Sequence, residues 1–332
     1  MVDLQIKTAI CEAKEKIAAL RKEDSLVIPV FTDLHTSGID GEYTERLVSL
    51  LEILTSEIPC DALVDLGDNT GMLGRNEHIT NGDLEKLLKG LFDKIYNAAK
   101  LPMLFVNGNH DGIGTDFFNA PFWNGIVKKK YGNTSAVYDE DGSYYYVDLE
   151  KADTRMIVLS VPSDADLIAE NPTPVWKLGE RQINWLENVA LKTEKYVVIF
   201  SHVPFYDAYR GENQLHSVWD GEKERFSTTY ALCGSIEDAD RAALVINAFN
   251  EKNKGKLIAC LSGHTHSDSL YNPCETKGEN TNPLSCHQIV TTAACLRQEG
   301  ISMDIAVWTP SQKRFDMIRI GEGEDRSIIV GE

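Results

Sequence analysis

The 332-residue chain has seven cysteines, at positions 11, 60, 233, 260, 274, 286 and 295, and no Cys-x-x-Cys pair among them. Zinc-ribbon spacing is therefore absent, and the odd count argues against an extensive disulfide framework. Reduced thiols in the cytoplasm are the simplest expectation. Basic residues are also scarce: 33 Lys and Arg against 51 Asp and Glu leave a formal charge of −18. Such a surface repels polyanions, so no nucleic-acid polymer is expected as partner. A single phosphate ester at a metal site remains open, because bound cations reverse the local field. No apolar run approaches the ~20 residues that cross a bilayer, so no membrane association is expected. Residues 1–21 mix charges of both signs and lack the apolar core and cleavage site of a signal peptide. Repeats, low-complexity tracts and convincing linkers are missing too. A single domain over 1–332 is expected, with a motif-bearing core at 25–270, an insert at 205–235 and a β-rich part at 285–322.

Apolar residues make up 42% of the chain, enough for a sizeable core. Leu4, Ile6, Ile10, Ala13, Ile17 and Leu20 recur at helical spacing, as do Leu47, Leu50, Leu51 and Leu54 within 44–58. Further helices are expected over 83–99, 178–191 and 236–253. Between them lie short apolar runs that read as buried strands: 26–31, 62–66, 101–106, 143–149, 155–161, 196–200 and 256–261. Three more such runs, 287–292, 301–308 and 314–320, follow without long helices. Strand–helix alternation first and strands later points to a mixed α/β chain.

Five of these strands end in polar residues: Asp33-x-His35, Gly67-Asp68, Gly108-Asn109-His110-Asp111, His202 and Gly263-His264-x-His266. Five of the eight histidines lie there. Strand ends are where open α/β sheets place their chemistry. Asp33, Asp68, Asn109, His35, His202, His264 and His266 form a mixed oxygen and nitrogen set without thiolate, suited to Mn, Fe, Zn, Co or Ni. Seven ligands exceed one ordinary site and suit two ions about 3.5–4 Å apart. The two-residue period of a strand would put Asp33 and His35 on one face, and likewise His264 and His266. Asp68, with two oxygens to give, is the natural bridge.

The motif series and its order resemble the calcineurin-like metallophosphoesterase superfamily, from about Leu26 to Ser269. The resemblance implies a four-layer αββα sandwich, two mixed sheets flanked by helices, with a dimetal site at the strand ends. It implies Asp33, His35, Asp68 and His266 around one ion, and Asp68, Asn109, His202 and His264 around the other, the ions being Mn, Fe or Zn. His110 matches the histidine that contacts the phosphate and assists the leaving group. The implied reaction is in-line attack on phosphorus by a hydroxide bridging the ions. Protein Ser/Thr phosphatases carry a second Asp and an Arg after the Gly-Asp pair; here Asn69-Thr70-Gly71 follow. Purple acid phosphatases place a Tyr where Gly71 stands. The nearer neighbours are bacterial-type phosphodiesterases and phosphohydrolases acting on small-molecule phosphoesters. A phosphomonoesterase or nucleotidase is the alternative, and a non-catalytic scaffold the reading from another class. Without the second Asp, Asp111 is the candidate to orient His110.

The stretch from Phe205 to Ser235 has no clear period and starts beside a candidate ligand. Such a stretch is a functional lid or a disordered loop. Its Tyr206, Tyr209, Arg210, Trp219, Arg225 and Phe226 could grip a leaving group, by stacking or through guanidinium forks, or pack only on one another. Phe117, Phe118, Phe122 and Trp123 read as a substrate platform or the core face of a short helix. His78, His216 and His287 fall outside the motifs and are expected on the surface or in loops.

Overall fold

A computed structural model describes residues 2–36, 38–70, 80–111, 131–132, 135–139, 143–161, 176–206, 217–219, 224–226, 236, 238–266, 268–274, 282–294, 302–321 and 323–331. Five helices are described: α1 (Val2–Leu20), α2 (Glu42–Glu57), α3 (Asn81–Ala99), α4 (Gly179–Trp185, continuing as a π-helical turn Leu186–Ala190) and α5 (Ala239–Lys252). The strands are β1 (Leu26–Phe31), β2 (Leu63–Asp65), β3 (Met103–Phe105), β4 (Val137–Tyr138), β5 (Tyr145–Leu149), β6 (Thr154–Val158), β7 (Tyr196–Phe200), β8 (Ser217–Trp219), β9 (Glu224–Phe226), β10 (Leu257–Ser262), β11 (Ser269–Tyr271), β12 (His287–Val290), β13 (Met303–Thr309), β14 (Arg314–Ile320) and β15 (Arg326–Ile329). Among the described residues no helix is long and apolar enough to cross a membrane.

Sheet one has the order β15-β14-β13-β1-β2-β3, and sheet two β11-β12-β10-β7-β6-β5-β4. Both are mixed: β1, β2 and β3 run parallel in one, β6, β7, β10 and β12 in the other. Alternation along a strand explains the layers. In β1, Leu26, Ile28 and Val30 join Val198, Phe200 and Ile258 of sheet two in the central core, while Val27 and Phe31 pack on α1–α3. On the far side, Ile157, Val197 and Ile199 pack on α4 and α5. The result is the expected four-layer sandwich. Parallel strands buried on both faces read as continuous apolar runs, which is why they were legible.

The helices follow their apolar stripes. Leu84, Leu88, Leu91 and Ile95 are buried along α3. Thr80 and Asp83 cap its start reciprocally, satisfying amides that have no partner inside the helix. The helix expected at 236–253 starts at Ala239. β15 and the hairpin β8–β9, at the resolution of four- and three-residue strands, have too few residues to show a period; the hairpin lies inside the insert read as aperiodic. Tyr145 ties the sheets near the site: its hydroxyl accepts the Phe105 N–H at 2.8 Å and donates to the Phe105 carbonyl at 3.1 Å.

Candidate metal centre

The C-terminal ends of β1, β2 and β3 from sheet one meet those of β7 and β10 from sheet two. Three groups gather there with their ligand atoms mutually within 4.8 Å: Asp33, His35 and His266; Asp68, His202 and His264; and His35, Asp68 and His110. Each of the first two triads draws on both sheets. His35 Nε2 and His266 Nε2 are 3.0 Å apart, and they lie 3.5 and 3.1 Å from Asp33 Oδ1. Atoms bonded to one ion at about 2.1 Å and roughly at right to tetrahedral angles are themselves about 3.0–3.4 Å apart. His202 Nε2 stands 3.1 Å from Asp68 Oδ2.

Backbone conformation aims these side chains. Asp33, His35, Asp68, His264 and His266 have φ of 53°, 44°, 55°, 68° and 55°, in the left-handed region. A strand period therefore does not align Asp33 with His35 or His264 with His266; successive left-handed turns do. Such turns cost of order 1 kcal/mol each and persist only where the surroundings over-determine them. Here the β1 and β2 loops are laced together: Asp33 N–H donates to Gly67 O at 2.8 Å, His35 N–H to Asp68 O at 3.0 Å, and Thr36 N–H to Asn69 O at 2.9 Å. Gly67 and Gly108 touch backbone to backbone. A Cβ on Gly108 would stand 2.0 Å from the Asp68 nitrogen, and one on Gly67 2.6 Å from the Gly108 nitrogen. Only glycine permits that approach.

Each carboxylate has one oxygen held and one presented. Thr32 Oγ1 and the His264 N–H donate to Asp33 Oδ2 at 2.6 and 3.0 Å, leaving Oδ1 toward His35 and His266. His110 N–H donates to Asp68 Oδ1 at 2.7 Å, leaving Oδ2 toward His202. His202 is fully buried and donates Nδ1–H to the Leu66 carbonyl at 2.8 Å. That bond fixes the ring orientation and turns Nε2 inward, toward Asp68. Burial raises the Asp33 and Asp68 carboxyls, but His266 and His202 around Asp33, and His202 and His110 around Asp68, hold both well below the usual range. Burial works against a charged His202, yet Asp68 and Asp33 outweigh it and push its pKa up to about 10.

The donor set fits two cations. Asn109 Oδ1 is buried without a hydrogen-bond partner. An orphaned buried acceptor of this kind is rare and calls for an explanation, and a cation beside Asp68 supplies it. His110 lies next to these groups, its ring edge-on to His35 at 5.2 Å and its Nε2 3.8 Å from Asp68 Oδ2. Its side chain is 12% exposed.

Three expectations are corrected. Asp111 does not orient His110: it is buried, and its Oδ1 accepts the N–H groups of Asn69 and Thr70 at 2.8 and 3.0 Å, its Oδ2 those of Asp68 and Gly108 at 2.9 and 3.0 Å. It pins the two metal-facing loops to each other. Tyr206 does not face substrate: it is 3% exposed, its hydroxyl donates to Asp240 Oδ1 at 3.1 Å and to the Asn282 carbonyl, and its backbone pairs with the Gln288 amide. His287 is not a loop residue; it is buried on β12. Trp219 and Arg225 lie on the backbone of β8 and β9. Tyr209, Arg210, His78, His216 and the aromatic stretch Phe117–Trp123 lie outside the described residues.

Two residues that support the site escaped the sequence reading. Asp65 accepts from Gly67 N–H at 2.9 Å and Asn69 Nδ2 at 2.8 Å, shaping the turn that carries Asp68. A charged residue inside the apolar run 62–66 was its available signal. Trp176 packs its ring on His264, centroids 5.6 Å apart. No local signal singled it out.

The family described as calcineurin-like phosphoesterase matches residues 26–268. A dimetal phosphatase from Danio rerio is similar in structure, with a TM-score of 0.63 at 14% identity, covering 92% of this chain and 99% of that one. The structure of PhoD aligns with a TM-score of 0.51 at 13% identity, covering 92% of this chain and 68% of that one. Curated proteins give no match.

Proposed function

Because the chain belongs to the calcineurin-like phosphoesterase family, whose members are metal-dependent phosphoester hydrolases, we propose that it hydrolyses small-molecule phosphodiesters. The observation that carries this reading is the pair of triads sharing one cluster with Asp68 between them and His110 alongside. Asp33, His35, Asp68 and His266 would hold one ion, and Asp68, Asn109, His202 and His264 the other, with Mn, Fe or Zn suited to the donors. Bound there, the ions supply an acidified water as nucleophile and positive charge for the phosphoryl oxygens.

The chain's own groups do the rest. His110, whose side chain keeps 12% exposure beside the cluster, would donate Nε2–H to the leaving oxygen. The His110 N–H holds Asp68 Oδ1 and keeps Oδ2 turned inward. Asp111 keeps the Asp68 and Asn109 loops at a fixed separation. A diester is favoured over a monoester by charge. A monoester dianion asks for cationic groups beyond two ions, and the Arg of protein phosphatases is replaced here by the run Asn69-Thr70-Gly71. Leaving-group recognition is assigned to Tyr209, Arg210, Trp219 and Arg225 of the insert, which begins three residues after His202. The free thiols of Cys260 and Cys286, their sulfurs 3.8 Å apart, suit a reducing compartment such as the cytoplasm.

The test is turnover of bis-p-nitrophenyl phosphate against p-nitrophenyl phosphate after reconstitution with Mn, Fe or Zn. The diester is expected to give the higher kcat/KM. A clear preference for the monoester would overturn the diester assignment, and no hydrolysis of either by protein holding two ions would favour a scaffold.

A further inference from the structure

The family match ends at residue 268. Asp268 itself is gripped from beyond that point. Its Oδ1 is ion-paired with Arg319 and lies 3.5 Å from Arg326 Nη1. The same oxygen accepts the Thr292 N–H at 3.1 Å, and Thr292 Oγ1 donates to the His266 carbonyl at 3.0 Å. Arg319 also donates to Ser302 Oγ at 2.7 Å and lies 3.3 Å from Asp304 Oδ2; Arg326 reaches Asp304 Oδ2 at 2.5 Å and the Val290 carbonyl at 2.8 Å. The side chains of Arg319, Arg326 and Asp304 are 2%, 9% and 0% exposed. Two arginines and two aspartates balance in charge. The turn between β14 and β15 packs onto the carboxylate as well: a Cβ on Gly323 would stand 2.7 Å from Asp268 Oδ2.

This network crosses from one sheet to the other. Arg319 and Arg326 are on β14 and β15 of sheet one, whereas Val290 ends β12, and Asp268 precedes β11, of sheet two. The triad of Asp33, His35 and His266 spans the same gap. Buried ion pairs are a weak source of stability, since desolvation offsets most of their attraction; their best-attested use is to fix register. The arginine fork, unlike a lysine, can hold Asp268, Asp304 and Ser302 in one plane of contacts.

We propose that Arg319 and Arg326 are positioning residues for the Asp33–His35–His266 triad, acting through Asp268 and Thr292 on the His266 backbone. The proposal rests on the two-ion reading of the site. Polar groups behind a metal ligand typically change metal affinity by about 10- to 100-fold. The test is a chelator-buffered Co²⁺ titration of the full chain, read by ligand-field absorption. His266→Ala and His264→Ala assign each binding step to its triad. Arg319→Met is expected to weaken the His266 step by about tenfold or more and leave the His264 step within about twofold, with Arg319→Lys recovering part of the loss. Thr292→Val, which leaves every ion pair intact, is expected to weaken the same step and serves if Arg319→Met does not fold. Equal weakening of both steps, or of neither, would overturn the positioning role. Wild-type protein that takes up fewer than two Co²⁺ ions would overturn the two-ion reading and this inference with it, and that result appears before any variant is made.

Discussion

Replacing Asp111 by Asn separates two roles for a residue that sits next to His110 in the chain. The four amides it accepts are shared two to each oxygen, from Asn69 and Thr70 on one and from Asp68 and Gly108 on the other. An asparagine keeps one oxygen. Its NH₂ then faces two buried N–H groups as a third donor, and both lose their acceptor. Each orphaned donor costs about 1–3 kcal/mol, so the variant should lose about 2–6 kcal/mol. Unfolding entropy scales to about 0.7 kcal/mol/K for 332 residues, which converts the loss into a Tm lower by about 3–9 °C. Turnover should fall too, by about a hundredfold if Asp68 moves by ~1 Å. Calorimetry of the metal-loaded variant, paired with diester turnover, reads both. Asp111→Ala, which removes all four acceptors, should melt lower still. A Tm within about 1 °C of wild type, with turnover lost, would refute the loop-pinning role and return Asp111 to the imidazole.

Gly108→Ala drives a Cβ to 2.0 Å from the Asp68 nitrogen, so kcat/KM should drop by about a hundredfold while circular dichroism still reports a folded chain. Full activity in that variant would mean the two glycine loops are not in contact. Because His202 is held protonated up to about 10, by Asp68 and Asp33 against the opposing effect of burial, an ion at its Nε2 must displace that proton. Affinity at that triad should therefore rise about tenfold per pH unit from weakly acid to weakly alkaline solution, as followed by chelator competition; a flat profile contradicts the proton count. Tyr206→Phe removes a buried hydroxyl bonded to Asp240 and Asn282 and should cost about 1–2 kcal/mol in denaturant titration with KM unchanged. A tenfold rise in KM would place the phenol at the substrate after all.

What the sequence disclosed was the part of the site that depends on strands. Each ligand follows an apolar run, and runs that are buried on both faces stop abruptly where the polar loops begin. What it concealed was set by partners distant in the chain. Asp33 and His35 have the spacing of a strand but left-handed backbones, stabilised by amides reaching Gly67 and Asp68. Asp111 is adjacent to His110, yet its direction is decided by amides that converge from residues 68–70. Tyr206 follows a metal-facing loop and resembles a substrate contact, but Val203, Phe205 and Tyr206 turn into the core beneath α5. Asp268 and Arg319 carry no local pattern at all; their pairing exists only once the two sheets have closed.

Sheet one is assembled from strands at opposite ends of the sequence, with β13 lying beside β1 and β14 and β15 beyond it. Every candidate metal ligand, through His266, therefore precedes in order of synthesis the strands β13, β14 and β15 that complete the sheet. Until β13 arrives, β1 has an open edge where β13 belongs, so the strand that carries Asp33 and His35 lacks one of its two neighbours. The Asp33–His35–His266 triad therefore gains its full strand support only once the last strands of the sheet are in place.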